Sequence, residues 1–178
     1  MKKIFSLFIC CLCFSLFSAE ISGEVVKVLD GDTVIIQDEN DKFKVRLAHI
    51  DAPEKNQECG DHAKTTLQIL VDGKNVYVEF HQIDMYGRII GTIYLHRTLG
   101  VYSGNINKAM VKNGAAWWYE EFSNDPEYAT LQAEAKQNKL GVWADHWETC
   151  IPPWEWRKMK KNNHNEYKEI KNEIKNKK

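Results

Sequence analysis

After position 22 the chain alternates apolar and polar positions, then changes to a helical period. In "GEVVKVLDGDTVIIQDENDKFKVRLAHI", apolar β-branched runs at 25–29, 33–37 and 43–50 are separated by "DGD" and "DENDK". Runs of this kind between turn-forming residues predict a three-stranded meander. "CGDHAKTTLQILV" sets Ala63, Leu67 and Leu70 along one stripe, and Gly73 follows as a stop, which predicts a helix. "NVYVEFHQI" and "RIIGTIYLH" read as two further strands joined by a tight "DMYG" turn. "NINKAMVKNG" reads as a short helix closed by glycine, and "SNDPEYATLQAEAKQNKLG" as a longer one with a capped start.

Three strands, a helix, two strands and more helices predict an α+β domain. The expected architecture is a five-stranded OB-fold β-barrel with about three flanking helices. The segment "IPPWEWRK", with Trp154 and Trp156, is expected to cross the body as an extended cover. Beyond it, "KKNNHNEYKEIKNEIKNKK" holds little apolar surface, so residues 157–178 read as a basic tail, a marginal helix or a disordered one. The domain itself is expected over 20–156.

The N-terminus changes the picture of where the protein works. Two lysines precede an apolar run from Ile4 to Phe17, and Ser18 and Ala19 follow. The pattern is that of a secretory signal peptide over 1–19, and the run is short for a membrane span. The expectation is a secreted or periplasmic protein with no stable membrane anchor after cleavage, acting as a monomer. Of five cysteines, three leave with the signal, and Cys59 and Cys150 remain. In an oxidising compartment an even pair favours a disulfide. It would close a loop of about 92 residues, worth at most about 4–5 kcal/mol in the loop-entropy picture. A Cys/His zinc site using "CGDH" (Cys59, His62) and "HWETC" (His146, Cys150) is the rival reading.

Charge is divided unevenly. Residues 20–156 hold 22 Asp/Glu against 13 Lys/Arg, a balance of −9, whereas 157–178 hold nine bases and three acids, a balance of +6. An acidic body repels polyanions. Nucleic-acid chemistry there requires a local positive focus, such as a metal ion with arginines.

The candidate chemistry lies at strand ends. "VRLAHIDAPE" carries Arg46 and then Asp51 and Glu54 around Pro53. On the strand predicted there, Arg46, Ala48 and Ile50 share one face, and Asp51 and Glu54 fall in a short turn pinned by Pro53. "LDGDTV" puts Asp30 and Asp32 around Gly31, and "DMYGR" supplies Tyr86 and Arg88. Each piece alone is an ordinary turn or ion pair. As a set they are a hard oxygen donor pair for Ca²⁺ or Mg²⁺ (Asp32, Asp51), a water-activating carboxylate (Glu54) and two phosphate-gripping guanidiniums (Arg46, Arg88). Those are the parts that phosphodiester hydrolysis needs.

In order and spacing, "DGDT", "VRLAHIDAPE" and "DMYGR" resemble the thermonuclease, or staphylococcal-nuclease-like, family from about Gly23 to Trp143. The resemblance implies an OB-fold and a Ca²⁺-dependent nuclease acting on DNA and RNA and leaving 3′-phosphate ends. It implies that Asp32 and Asp51 bind calcium with the carbonyl of Ala52, where the family commonly has Thr. Arg46, Glu54 and Arg88 match the family's catalytic residues. Tyr86 matches a tyrosine near the nucleotide phosphate, and Tyr119 is assigned to substrate binding. Met85 departs from the family's lysine before "YGR". The competing readings are a non-catalytic nucleic-acid-binding OB module and an envelope-binding domain with an aromatic face.

Overall fold

A computed structural model describes residues 19–147 and 150–163. The predicted signal peptide, apart from Ala19, and most of the basic tail lie outside them. Strands β1 (Ala19–Val28), β2 (Thr33–Gln37) and β3 (Lys42–Leu47) form the meander. A two-residue β4 (Ile50–Asp51) and helix α1 (Gly60–Val71) follow. The next hairpins use β5 (Asn75–Ile83), β6 (Ile89–Thr98) and β7 (Val101–Asn105). Then come α2 (Ile106–Lys112), β8 (Trp117–Trp118) and α3 (Pro126–Gln137). A last helix, α4, runs over 153–163, as far as the described residues extend.

Neighbours pair in the order β3-β2-β1-β5-β6-β7, and β3 also pairs with β6. That parallel pairing, Arg46 opposite Ile90, closes β1, β2, β3, β6 and β5 into a barrel. The five-stranded OB-type α+β fold is therefore the observed one. Register breaks at Val25/Lys27 and Phe80/Gln82 sharpen the bends that closure requires. Val34, Ile36, Val45, Val78 and Ile93 fill the interior, all fully buried. Each such side chain removed from water stabilises the fold by about 1.5–3 kcal/mol. The core holds the strand ends rigidly under the site.

Three local outcomes differ from the sequence reading. The third strand stops at Leu47, because His49 sits at φ 68°, a left-handed conformation rare outside glycine. β7 was not anticipated; its turn places Leu99 and Gly100 at φ 50° and 80°, and leucine does not announce such a turn. "PWEWRK", from Pro153 onward, is helical rather than extended. Pro153 occupies the first helical position, where its missing N–H costs nothing and its fixed φ suits the helix. The amides of Glu155 and Trp156 then donate to the carbonyl of Pro152. With this helix the described residues contain four α-helices, in keeping with the expected barrel flanked by about three.

Candidate active site

The β1–β2 turn, the end of β3 and the β5–β6 hairpin open on one side of the barrel around a cleft of about 800 Å³. Arg46 faces Thr33 across one ladder and Ile90 across the other, so the sheet sets its place between Asp32 and Arg88. Unbroken alternation would send Arg46 and Asp51 to opposite faces. The positive φ at His49 reverses that parity. As a result Arg46 Nη2 donates to Asp51 Oδ1 at 3.0 Å and lies 3.3 Å from Asp32 Oδ2. Gly31 allows the approach of the turn: a Cβ there would stand 2.7 Å from the Cβ atoms of both Ala52 and Ala63.

The "DGD" turn is wired inward. Thr33 Oγ1 donates to Asp32 Oδ1 at 2.8 Å, the Asp32 amide to Asp30 Oδ1 at 3.1 Å, and the Ala52 amide to Asp32 Oδ2 at 3.4 Å. Burial, and then the charge of Asp32, push the Asp30 carboxyl above the usual carboxylate range. Asp51 is 1 % exposed, and burial raises its pKa against the opposing pull of two guanidiniums.

Whether a cation fits here follows from the donors. Asp32 and Asp51 converge closely enough to share one guanidinium nitrogen. They offer only hard oxygens, and Asp51 pays a burial penalty for its charge. That set suits Ca²⁺ or Mg²⁺ rather than Zn²⁺. Among the described residues no three or more His, Cys, Asp or Glu side chains form a metal-holding group, so backbone and water oxygens would complete the shell.

Glu54 stands at the cleft edge, its amide donating to Gln57 Oε1 at 2.7 Å. Arg88 is aimed by its own hairpin. Its Nε donates to Asp84 Oδ2 at 2.7 Å, and its guanidinium lies 5.6 Å from the Tyr86 ring centre. Despite some desolvation, hydrogen bonds from the Arg88 and Tyr86 amides and the Arg88 side chain hold Asp84 below the usual range. Tyr119 stacks on Trp154 with centroids 5.5 Å apart and 9° between planes. All eight residues singled out for metal, catalysis and substrate thus line one cleft. Met85 is 89 % exposed at the hairpin tip and does not line it.

Cys59 and Cys150 are joined as a disulfide, the favoured reading of the pair. Its consequence was not foreseen. Cys150 begins a strap that returns beside "DAPE", and Gln57 Nε2 donates to the carbonyl of Ile151 at 2.9 Å. Gly60 is packed so closely that a Cβ would lie 2.2 Å from the Glu54 carbonyl oxygen. Through the strap, α4 delivers Arg157 to the cleft. Its Nη2 donates to Asp51 Oδ2 at 2.6 Å and its Nη1 to Glu54 Oε1 at 2.8 Å. Burial works against the Arg157 charge, but these carboxylates outweigh it and raise its pKa. The signal lay in the sequence: Cys59 is five residues past Glu54, and Arg157 seven past Cys150.

Residues 44–145 match the family model described as "Staphylococcal nuclease homologue". An "uncharacterized endonuclease" of Escherichia coli is 41 % identical over 160 residues, covering 90 % of this chain and all of that protein. One from Haemophilus influenzae is 42 % identical over 140 residues, 78 % of this chain and 74 % of its own. A "micrococcal nuclease" of Shigella flexneri is 37 % identical over 152 residues, 81 % of this chain and 84 % of its own.

Proposed function

This chain belongs to the staphylococcal nuclease family, and from that membership we propose that it is an exported, monomeric, Ca²⁺-dependent endonuclease hydrolysing DNA and RNA. The observation that carries the reading is the convergence of Asp32, Asp51, Arg46, Glu54 and Arg88 on a single cleft. A module that only binds nucleic acid needs no general base beside a cation site.

Asp32 and Asp51, with the Ala52 carbonyl, are the residues that would hold calcium. A bound ion would polarise the phosphoryl group. Glu54 accepts a proton from the attacking water, whose oxygen forms the new bond to phosphorus as the bond to the 5′-oxygen breaks. The products are a 3′-phosphate and a 5′-hydroxyl, the departing oxygen taking its proton from solvent water. Arg46 and Arg88 oppose the negative charge that grows on the phosphoryl oxygens, and Arg88 assists the departing oxygen. Arg88 suits this work because Asp84 fixes its Nε, leaving the two terminal nitrogens to grip phosphate. Tyr86 and Tyr119 border the nucleotide.

Digestion of plasmid DNA and of RNA by the mature chain, in Ca²⁺ and then in chelator, tests the reading. Turnover should need the ion. Full activity in chelator, or none with any divalent cation, sinks it.

A further inference from the structure

Asp51 presents both carboxylate oxygens to guanidinium groups. Oδ1 takes Arg46 at 3.0 Å, and Oδ2 takes Arg157 at 2.6 Å. Arg157 also spans to Glu54, so one side chain engages both the metal-binding carboxylate and the general base of the proposed reaction. Arg157 Nη1 also reaches Oδ1 at 3.4 Å, so a divalent cation that takes either oxygen of Asp51 meets the guanidinium of Arg157 there. Both cannot hold it at full strength.

The two arginines on Asp51 differ in freedom. Arg46 is fixed in the barrel wall by two ladders, and its side chain is 17 % exposed. Arg157 projects from α4, and its side chain is 45 % exposed. It can withdraw toward solvent without disturbing the core, whereas Arg46 cannot. Its position at the carboxylates is set by the strap, through the Cys59–Cys150 disulfide, the Gln57 bond to Ile151 and the Trp154–Tyr119 stack.

We propose that Arg157 is a built-in counter-cation of the Asp51–Glu54 carboxylates, held there by the strap, which a divalent metal must displace. The proposal rests on the metal-site reading given above. It makes Arg157 a positioning residue that sets how much calcium the enzyme needs. In the metal-free protein it supplies a second cation where Arg46 alone would have to balance two carboxylates, Asp32 and Asp51, because a buried charge left short of a partner is costly. Competition for one site is reciprocal: what the metal loses to the guanidinium, the guanidinium loses to the metal.

The test is calorimetric titration of the full-length mature protein with Ca²⁺, with no substrate present. Parent, Arg157→Gln, Lys158→Gln and Asp51→Asn are compared. Arg157→Gln should bind Ca²⁺ about 5- to 20-fold more tightly, the lower part of the usual range for coupled sites, since Arg157 is nearly half exposed. Lys158 is an exposed neighbour on α4, and its loss removes the same charge without touching Asp51. It should leave the affinity nearly unchanged. Thermal unfolding in chelator gives a second readout, in which Arg157→Gln should be less stable than the parent, with the gap narrowing in saturating Ca²⁺. Equal or weaker Ca²⁺ binding by Arg157→Gln, or equal tightening in Lys158→Gln, overturns the counter-cation. Parent protein that binds no Ca²⁺, or binding that survives Asp51→Asn unchanged, overturns the metal-site reading and the proposal with it.

Discussion

The cleft has two walls held by different physics. In the barrel wall, Arg46 stands in two backbone ladders, opposite Thr33 and Ile90, over a continuous, mostly aliphatic core, and Asp51 is held beside it by the short β4–β8 ladder, opposite Trp117. The strap wall carries Trp154 and Arg157. It rests on one covalent link and a satellite cluster in which Cys59, Trp117 and Val142 are buried under Trp143, Trp147 and Trp154. Ladders share position among many bonds, so losing one moves little. A strap tied at Cys150 depends on that tie. Arg46 sits on the redundant wall, Glu54 sits between the two, and the group proposed to regulate metal access sits on the severable one.

The comparison is broken most forcefully at Glu54, where the walls meet. Glu54→Gln keeps the volume but loses the basic oxygen, and kcat should fall by roughly 10²–10⁴-fold, the usual range for losing a general base. Binding of a nucleotide inhibitor with Ca²⁺ should persist in equilibrium titration. Turnover near the parent rate would show that Glu54 is merely an ion-pair partner of Arg157.

Arg88 sharpens the case for the barrel side. Its Nε is committed to Asp84, so two nitrogens remain for phosphate. Lysine has a single head and cannot serve both partners. Arg88→Lys should lower single-turnover rates by about 10²-fold, comparable to deleting an oxyanion donor. A loss of only a few-fold would make Arg88 a turn residue.

Cutting the strap should separate stability from chemistry. The Cys59→Ala/Cys150→Ala double variant should lose about 2–4 kcal/mol in urea unfolding. Its kcat should change far less than that of Glu54→Gln, because the barrel ladders remain. A collapse of kcat in a variant still folded by circular dichroism would mean that the strap orders the catalytic groups themselves.

The smallest effect concerns pH and is confined to the satellite cluster. His62 lies beside Trp147, and burial, followed by the nearby charge of His146, lowers its pKa from the ordinary 6.5. The unfolded chain therefore takes up this proton more readily than the folded one. Stability from this group is intact above pH 6.5 and is lost as pH falls from there toward the lowered folded value. His62→Gln should flatten that part of the stability profile, measured by urea unfolding across the acid range. An unchanged slope would assign the acid sensitivity elsewhere.

Local pattern alone determined the meander, the "DMYG" hairpin, α1 and α3, since strand alternation, helical period and caps act over a few residues. β5 fell at Asn75–Ile83, the run that had been read as a strand. Five of the eight cleft residues, Asp32, Arg46, Asp51, Glu54 and Arg88, were legible as a set of acids and arginines gathered at strand ends, whereas Ala52, Tyr86 and Tyr119 entered only through the family resemblance. Two features needed the folded chain. The parity of Arg46 and Asp51 depends on one left-handed residue, His49, and histidine, though it tolerates that conformation better than most side chains, does not specify it. The arrival of Arg157 depends on a link between Cys59 and Cys150, 91 residues apart. Both cysteines and the arginine were visible, but only closure of that loop brings Arg157 to Asp51, because proximity across such a separation is a property of the fold and not of any short stretch.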